Sequence, residues 1–376
     1  MKKIILVLIS FFIFIVGCEK KEETIKIGAI LPLSGDNAKY GTWIRDAFEM
    51  GRDEINASGG INGKKLEIIY EDDKAQPQIA ASAMEKLVTA DKVPIIFGSW
   101  ASSCVLAQAP IANRTKTPML AEAQSPKIRD AGDYVFRIQP DSRYYLKYLV
   151  PYVFNDLKIK TIAILYVNND YGLDQANVFK QSFEELGGKV TAMEGFNQGA
   201  TVFRTELSKI QKTNPQGVFI PSYTEGGYIL KQAKEVGMKQ QFIGSAPFEN
   251  PDNLKIAGDA AEGVVYPHHF APDSKDSVVV NFEKKFQSKY NYLPEGYAAL
   301  AYDGVKIIAY LLNHCETDKE CIKNELYKIN NFSGVTGPTT FDDHGDVIKN
   351  IVIRVVKKNN FATIWTNKIV TTNPRE

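Results

Sequence analysis

The sequence predicts an α/β fold of two doubly wound lobes, each built on a parallel sheet. Short apolar runs of strand length alternate with amphipathic stretches of about 10 to 18 residues, the pattern of βα units whose sheets are covered on both faces. The alternation runs twice, with a break near residues 140–160. The chain of 376 residues, 44% hydrophobic and 24% charged, is long enough for two full cores and too apolar for a disordered chain.

The opening of the chain concerns compartment rather than fold. Met1-Lys2-Lys3 precedes an apolar run from Ile4 to Val16, then Gly17-Cys18. A basic start and so short an apolar run form a secretory leader, with a short membrane anchor as the alternative. Ile15-Val16-Gly17-Cys18 resembles the lipobox of bacterial lipoproteins. That resemblance implies a signal peptide over 1–17, cleavage before Cys18 and lipid on Cys18. The charged run from Glu19 to Glu23 completes a tether over 18–23. The protein is thus expected in the periplasm or at the cell surface, anchored to a membrane by its acyl chains.

The elements follow in order. Ile25 to Leu31 reads as a strand, ended by Pro32, Ser34 and Gly35. Ile44, Ala47, Phe48, Gly51 and Ile55 recur at helical spacing within a helix from Tyr40 to Asn56, which Ser58-Gly59-Gly60 stops. Leu66 to Tyr70 is the next strand, then a helix from about Gln76 to Thr89 and a strand from Val93 to Phe97. A helix from Cys104 to Arg114 and strands at Pro118–Leu120 and Tyr134–Arg137 complete the first run. After Pro140 a helix extends to Asp156, and Thr161 to Val167 begins the second run. It continues as helix 172–187, strand 189–194, helix 203–213, strand 217–220, helix 226–237 and strand 241–244. A long helix spans Gly296 to Asn313, and Val347–Lys357 with Phe361–Thr366 reads as a hairpin returning to the second lobe.

Charge argues against bulk electrostatic partners. There are 45 basic and 44 acidic residues, and without Lys2 and Lys3 the balance is 43 to 44. No basic excess favours nucleic acid. Cys315 and Cys321, between two helical stretches, are expected to form a disulfide on an export route, with two free thiols as the alternative. Cys104 reads as a small buried residue.

No Rossmann glycine motif, zinc-protease helix or nucleophile elbow occurs, and Ser58 to Lys65 has the wrong spacing for a phosphate loop. His268 and His269, adjacent in an extended segment, point to opposite faces, which disfavours a shared metal. What remains is a set of polar and aromatic residues at strand C-termini, where open parallel sheets hold their ligands. Trp100 and Ser102 follow the strand ending at Phe97; Glu122, Ala123 and Gln124 follow Leu120; Tyr171 and Tyr223 follow strands of the second run. Ser102 reads equally as a carboxylate cradle or as a helix N-cap, and the tyrosines as site or rim packing.

These residues and several longer motifs resemble one family. Ile27-Gly-Ala-Ile-Leu-Pro-Leu-Ser-Gly35, Tyr40-Gly41, the stretch Asp53 to Gly63, Asp72-Asp73, Ala131-Gly-Asp-Tyr-Val-Phe-Arg137 and Asp170-Tyr-Gly172 are similar to the leucine/isoleucine/valine-binding proteins of ABC importers. The resemblance covers Thr24 to Thr366. It implies the type I periplasmic binding fold: two lobes, a hinge of three crossovers, and a small ligand passed to an ABC permease. It places 24–141 with 268–336 in the first lobe and 142–267 with 337–376 in the second.

By position the resemblance puts the carboxylate cradle at Ser102 and the loop Glu122 to Gln124, and the side-chain pocket at Tyr40 and Trp100, with core packing as the alternative. It puts Tyr171 and Tyr223 on the ligand from the second lobe. Two departures stand out: Ala246 occupies the position of the family's acidic residue, and Glu122 a position that is usually small. Either Glu122 has taken over the ligand ammonium, or Glu122 turns to solvent and Glu249 serves. The implied function is closure on a neutral, branched-chain or aromatic amino acid by a monomer without cofactor or metal. An amide or urea ligand, a sensing lipoprotein, and remotely a hydrolase using Asp72 or Asp73 are the alternatives.

Overall fold

The computed structural model describes residues 23–367, so the leader, the lipobox and Cys18 lie outside the described residues. Strands β1 (Thr24–Leu31), β2 (Lys65–Asp72), β3 (Ile96–Gly98), β4 (Met119–Ala121) and β5 (Val135–Arg137) form one parallel sheet in the order β2-β1-β3-β4-β5. The last five residues of β1 are all buried, as a strand covered on both faces requires. Helices α1 (Ala38–Ala57), α2 (Pro77–Thr89) and α3 (Ser102–Thr115) connect these strands. Gly41 lets α1 start hard against the end of β1, since a Cβ there would stand 2.1 Å from the Pro32 carbonyl oxygen. The strand expected from Val93 begins at Ile96 instead; Pro94 has no N–H to give a ladder.

The chain then crosses to a second sheet. Helix α4 (Ser142–Pro151) runs into a π-helical turn at Tyr152–Asp156, where Pro151 interrupts the regular hydrogen bonding. Strands β6 (Thr161–Val167), β7 (Lys189–Phe196), β8 (Gly217–Ile220), β9 (Gln241–Gly244) and β10 (Val265–His268) are parallel, connected through α5 (Asp170–Glu185), α6 (Arg204–Lys212), α7 (Glu225–Glu235) and α8 (Pro251–Ala257). The chain returns to the first sheet as α9 (Ser277–Tyr290), α10 (Gly296–Cys315) and α11 (Lys319–Lys328). Helix α10 lies along α1, and Gly304 admits the ring of Phe97, whose Cε2 a Cβ would meet at 2.5 Å. Cys315 and Cys321 are joined by a disulfide between α10 and α11, with Cα atoms 5.5 Å apart.

A third crossing leads to β11 (Val352–Lys357) and β12 (Asn360–Thr366), which extend the second sheet in the order β12-β11-β10-β9-β8-β6-β7. β11 is antiparallel to β10 and β12, and the two-residue turn at Lys358-Asn359 has φ of 51° and 57°, as a type I′ hairpin needs. The strand expected from Val347 therefore starts five residues later. Val347 instead bridges to Phe341, Phe341 packs edge-on against Phe136 at 5.7 Å, and Asp346 pairs with the buried Arg137. These contacts hold residues 341–347 on the first sheet, beyond the boundary expected at 336. The expectations also lacked β10, α8 and α9: β10 is four residues long and includes Pro267.

Candidate functional site

The C-terminal ends of the two sheets face each other, and the loops that follow the strands meet between the lobes. Tyr40 in the first turn of α1 donates its hydroxyl to the Pro247 carbonyl after β9 at 2.8 Å. Gln175 of α5 donates to Gln124 Oε1 at 2.9 Å. Lys127 pairs with Asp170 at 2.9 Å, and Ser125 bonds Asp174. The two lobes are thus closed on one another in this structure.

Between them the closed lobes leave a small cavity of about 10 Å³, room for a single water. Trp100, Ser102, Gln124 and Gln139 from the first sheet's loops and Tyr297 from α10 wall one side; Tyr171, Tyr223 and Pro247 wall the other. The aromatic walls support one another. Trp100 stacks on Tyr40 at 4.2 Å and 16°, meets Tyr223 at 4.8 Å, and has Tyr297 edge-on at 5.9 Å. Tyr171 stacks on Tyr223 at 5.2 Å. Tyr40 stands behind Trp100 and does not reach the cavity, so it braces the wall. Glu225 fixes the Tyr223 loop by accepting its N–H at 3.0 Å and that of Gly199 at 2.8 Å.

Ser102 is the first residue of α3, and the cap position falls on Ala101, so the N-cap alternative does not hold. Its Oγ instead accepts the N–H groups of Gln124 at 3.3 Å and Ser125 at 3.1 Å. Both lone pairs are then committed, and the hydroxyl proton remains for an acceptor in the cavity. Ala123 packs into the core beside Met119 and Ala121 and contributes only backbone.

Glu122 does not turn to solvent. It is 1% exposed, and neither carboxylate oxygen has a hydrogen-bond partner. Burial above all, then the charges of Glu295 and Asp303, push its carboxyl well above the usual range. It is nevertheless absent from the cavity wall. Ala246 is buried against Tyr145 and Ile351. Glu249 accepts the Tyr266 hydroxyl at 2.8 Å and pairs with Arg354 Nε at 2.6 Å, so it is committed within the second lobe. Asp72 and Asp73 are also occupied. Asp72 accepts the Leu33 and Ser34 N–H groups at 2.9 and 3.2 Å, and buried Asp73 holds Ser99 and the Ala75 N–H.

Gln139, Pro247 and Tyr297 were not anticipated. Gln139 follows β5 as Gln124 follows β4, so the strand-end rule that found the other loops also covered it. Tyr297 enters from α10, whose N-cap Glu295 accepts the Tyr297 and Ala298 N–H groups at 3.0 and 2.9 Å. No local pattern ties that helix to a cleft whose other walls come from residues 100–247. Among the described residues no cluster of His, Cys, Asp and Glu suits a metal ion, and no helix is long and apolar enough to cross a membrane.

Two α/β lobes linked by three crossings and closed on a polar, aromatic cavity define a two-lobed solute-binding protein. Comparison with known proteins agrees. The periplasmic binding protein family matches residues 24–360. The leucine-, isoleucine-, valine-, threonine- and alanine-binding protein of Pseudomonas aeruginosa is 32% identical over 348 residues, 91% of each chain. The structure of LivJ from Streptococcus pneumoniae in complex with isoleucine is 28% identical, covering 91% of this chain and 99% of that one at a TM-score of 0.85. A solute-binding protein from Rhodopseudomonas palustris in complex with 3,4-dihydroxybenzoic acid is 25% identical, covering 93% and 99% at 0.83. The chain belongs to the type I periplasmic binding proteins, in their branched-chain amino-acid ABC transporter class.

Proposed function

We propose that the protein is the extracytoplasmic receptor of an ABC importer and binds a neutral amino acid, branched-chain or aromatic, between its lobes without altering it. The observation that carries this reading is the cavity walled from both lobes, with the Ser102 hydroxyl proton free for a carboxylate and aromatic rings for the side chain. Ligand docks on the first lobe, and the second swings in about the crossovers. A solute that touches both lobes stabilises the closed form, and one that touches a single lobe does not. The ammonium end faces the first lobe, where Glu122 has both oxygens without a partner.

The test is a thermal-shift panel of neutral amino acids, amides and aromatic carboxylates. A ligand at 100 times its dissociation constant is expected to add about 2.7 kcal/mol to stability. A flat response to every amino acid would reject the amino-acid reading. A shift with benzoates alone would favour the second reading, an aromatic carboxylate receptor, which the tyrosine and tryptophan walls and the dihydroxybenzoate-bound relative support.

The same proposal places the mature chain on a membrane through lipidated Cys18, acting as a monomer that delivers to a permease. Labelled palmitate is expected to enter the wild-type protein made in a bacterial host and to be absent from Cys18→Ala, which is released as a soluble species. Equal labelling of both would remove Cys18 as the anchor.

A further inference from the structure

Gln139 belongs to the cavity wall and also to the first crossing between the lobes. Its side chain is buried, its Nε2 donates to Tyr145 Oη at 3.3 Å, and its Oε1 has no partner. Tyr145 Oη lies 2.6 Å from Nδ1 of His269, a residue of the second crossing. Three side chains therefore run from one hinge segment to another and end at the ligand cavity.

The direction of this chain is read from its Gln139 end, where Nε2 is the atom that donates to Tyr145. Burial holds the His269 ring neutral, so it carries one proton. Its Nε2 has no hydrogen-bond partner, and its Nδ1 faces the Tyr145 hydroxyl, whose oxygen already takes the Gln139 N–H. Nδ1 is then the acceptor for the Tyr145 proton, and the phenol oxygen receives the Gln139 N–H. This fixes the carboxamide with its carbonyl oxygen as the uncommitted atom. None of the described residues around the cavity is charged, so a buried neutral acceptor is what the first lobe offers there.

We propose that Gln139 is a specificity-determining residue that accepts an N–H of the ligand on Oε1, with Tyr145 and His269 as positioning residues that hold its carboxamide in that orientation. The inference rests on the cleft being the solute site, and it separates direct contact at Gln139 from any influence of the buried Glu122 carboxyl. A ligand with an ammonium or amide N–H opposite its carboxylate or carbonyl is preferred over the same skeleton without nitrogen. An unpaired Oε1 would otherwise be left buried on closure.

The experiment is calorimetric titration of the full-length protein with matched pairs: L-leucine and 4-methylpentanoate, L-phenylalanine and 3-phenylpropionate, benzamide and benzoate. In the wild type the N–H member of a bound pair is expected to bind more tightly. Gln139→Leu should shrink that preference by about ten- to hundred-fold, acting on the N–H member alone. Tyr145→Phe keeps the ring and frees the carboxamide, so it should shrink the preference in part while leaving the nitrogen-free member's affinity in place, which a packing defect would not do. A preference unchanged in both variants overturns the inference, as does a preference lost in Glu122→Gln but kept in Gln139→Leu. If benzamide binds, the amino acids do not, and Gln139→Leu still abolishes the preference, the inference stands and the amino-acid reading falls. Binding of the nitrogen-free acids alone, or of none of the six, removes both.

Discussion

Arg354→Met is expected to destabilise the protein by about 3–5 kcal/mol, measured by urea unfolding at pH 7.5, because it strands a buried carboxylate. Arg354 sits on β11 directly across from Tyr266 of β10 and is 2% exposed. Its Nε is 2.6 Å from Glu249, and its Nη1 bonds Asp273 at 3.1 Å and Thr363 at 2.8 Å. Remove the guanidinium and Glu249 keeps only the Tyr266 hydroxyl, with His268, whose ring burial disfavours charging, 4.0 Å away. The pH dependence follows from linkage. Burial already raises the Glu249 carboxyl above its ordinary range with Arg354 beside it to pull it down; without the arginine the folded pKa rises further, so the folded variant retains a proton that the unfolded state releases. The loss relative to wild type is therefore smallest below the wild-type folded pKa of Glu249 and grows from there toward that of the variant, at about 1.4 kcal/mol per unit. Adding Glu249→Gln removes the charge and should recover much of the deficit at pH 7.5. A loss below about 1 kcal/mol, or one independent of pH, would mean that Glu249 is not held by this arginine and is free to serve the cleft.

That pair marks where sequence reading stopped. The alternating apolar runs were legible because a strand buried on both faces and a helix buried on one leave different periods in the sequence. So were the loops carrying Trp100, Ser102, Gln124, Tyr171 and Tyr223, since each follows a strand at the end where helix N-termini and free N–H groups gather. What escaped depended on contacts distant in sequence. The two fates imagined for Glu122 and Glu249 could not be separated without knowing that Arg354, about a hundred residues later, lies on the strand beside β10. Tyr297 lines the cavity only because α10 crosses back to lie on α1. The first-lobe segment 341–347 reads locally as the start of a strand, but the buried Arg137 needs Asp346, and meeting that need delays β11 until after the crossing.

Ser102→Ala is expected to lower affinity for the carboxylate-bearing ligand by about ten- to hundred-fold, the effect of losing a hydrogen bond to a charged group. The same hydroxyl has a second task, and the two can be separated. Its oxygen accepts the Gln124 and Ser125 N–H groups, both in buried positions. Alanine leaves these donors without their acceptor, at a cost of about 1–3 kcal/mol in the ligand-free protein. Gln124 also holds Ser142 at the start of α4 through its carbonyl, at 2.8 Å from both the N–H and the hydroxyl, so loosening this loop reaches the first crossing between lobes. Ser102→Thr retains the oxygen and its proton and should restore both quantities, as far as its extra methyl fits beside Trp100. Calorimetric titration and urea unfolding of the two variants give four numbers. If alanine costs stability but leaves carboxylate affinity intact, Ser102 is a staple for the loop and the cavity's donor lies elsewhere. If affinity collapses for the acid while an uncharged amide of the same shape binds as before, the hydroxyl proton is what meets the ligand's negative end.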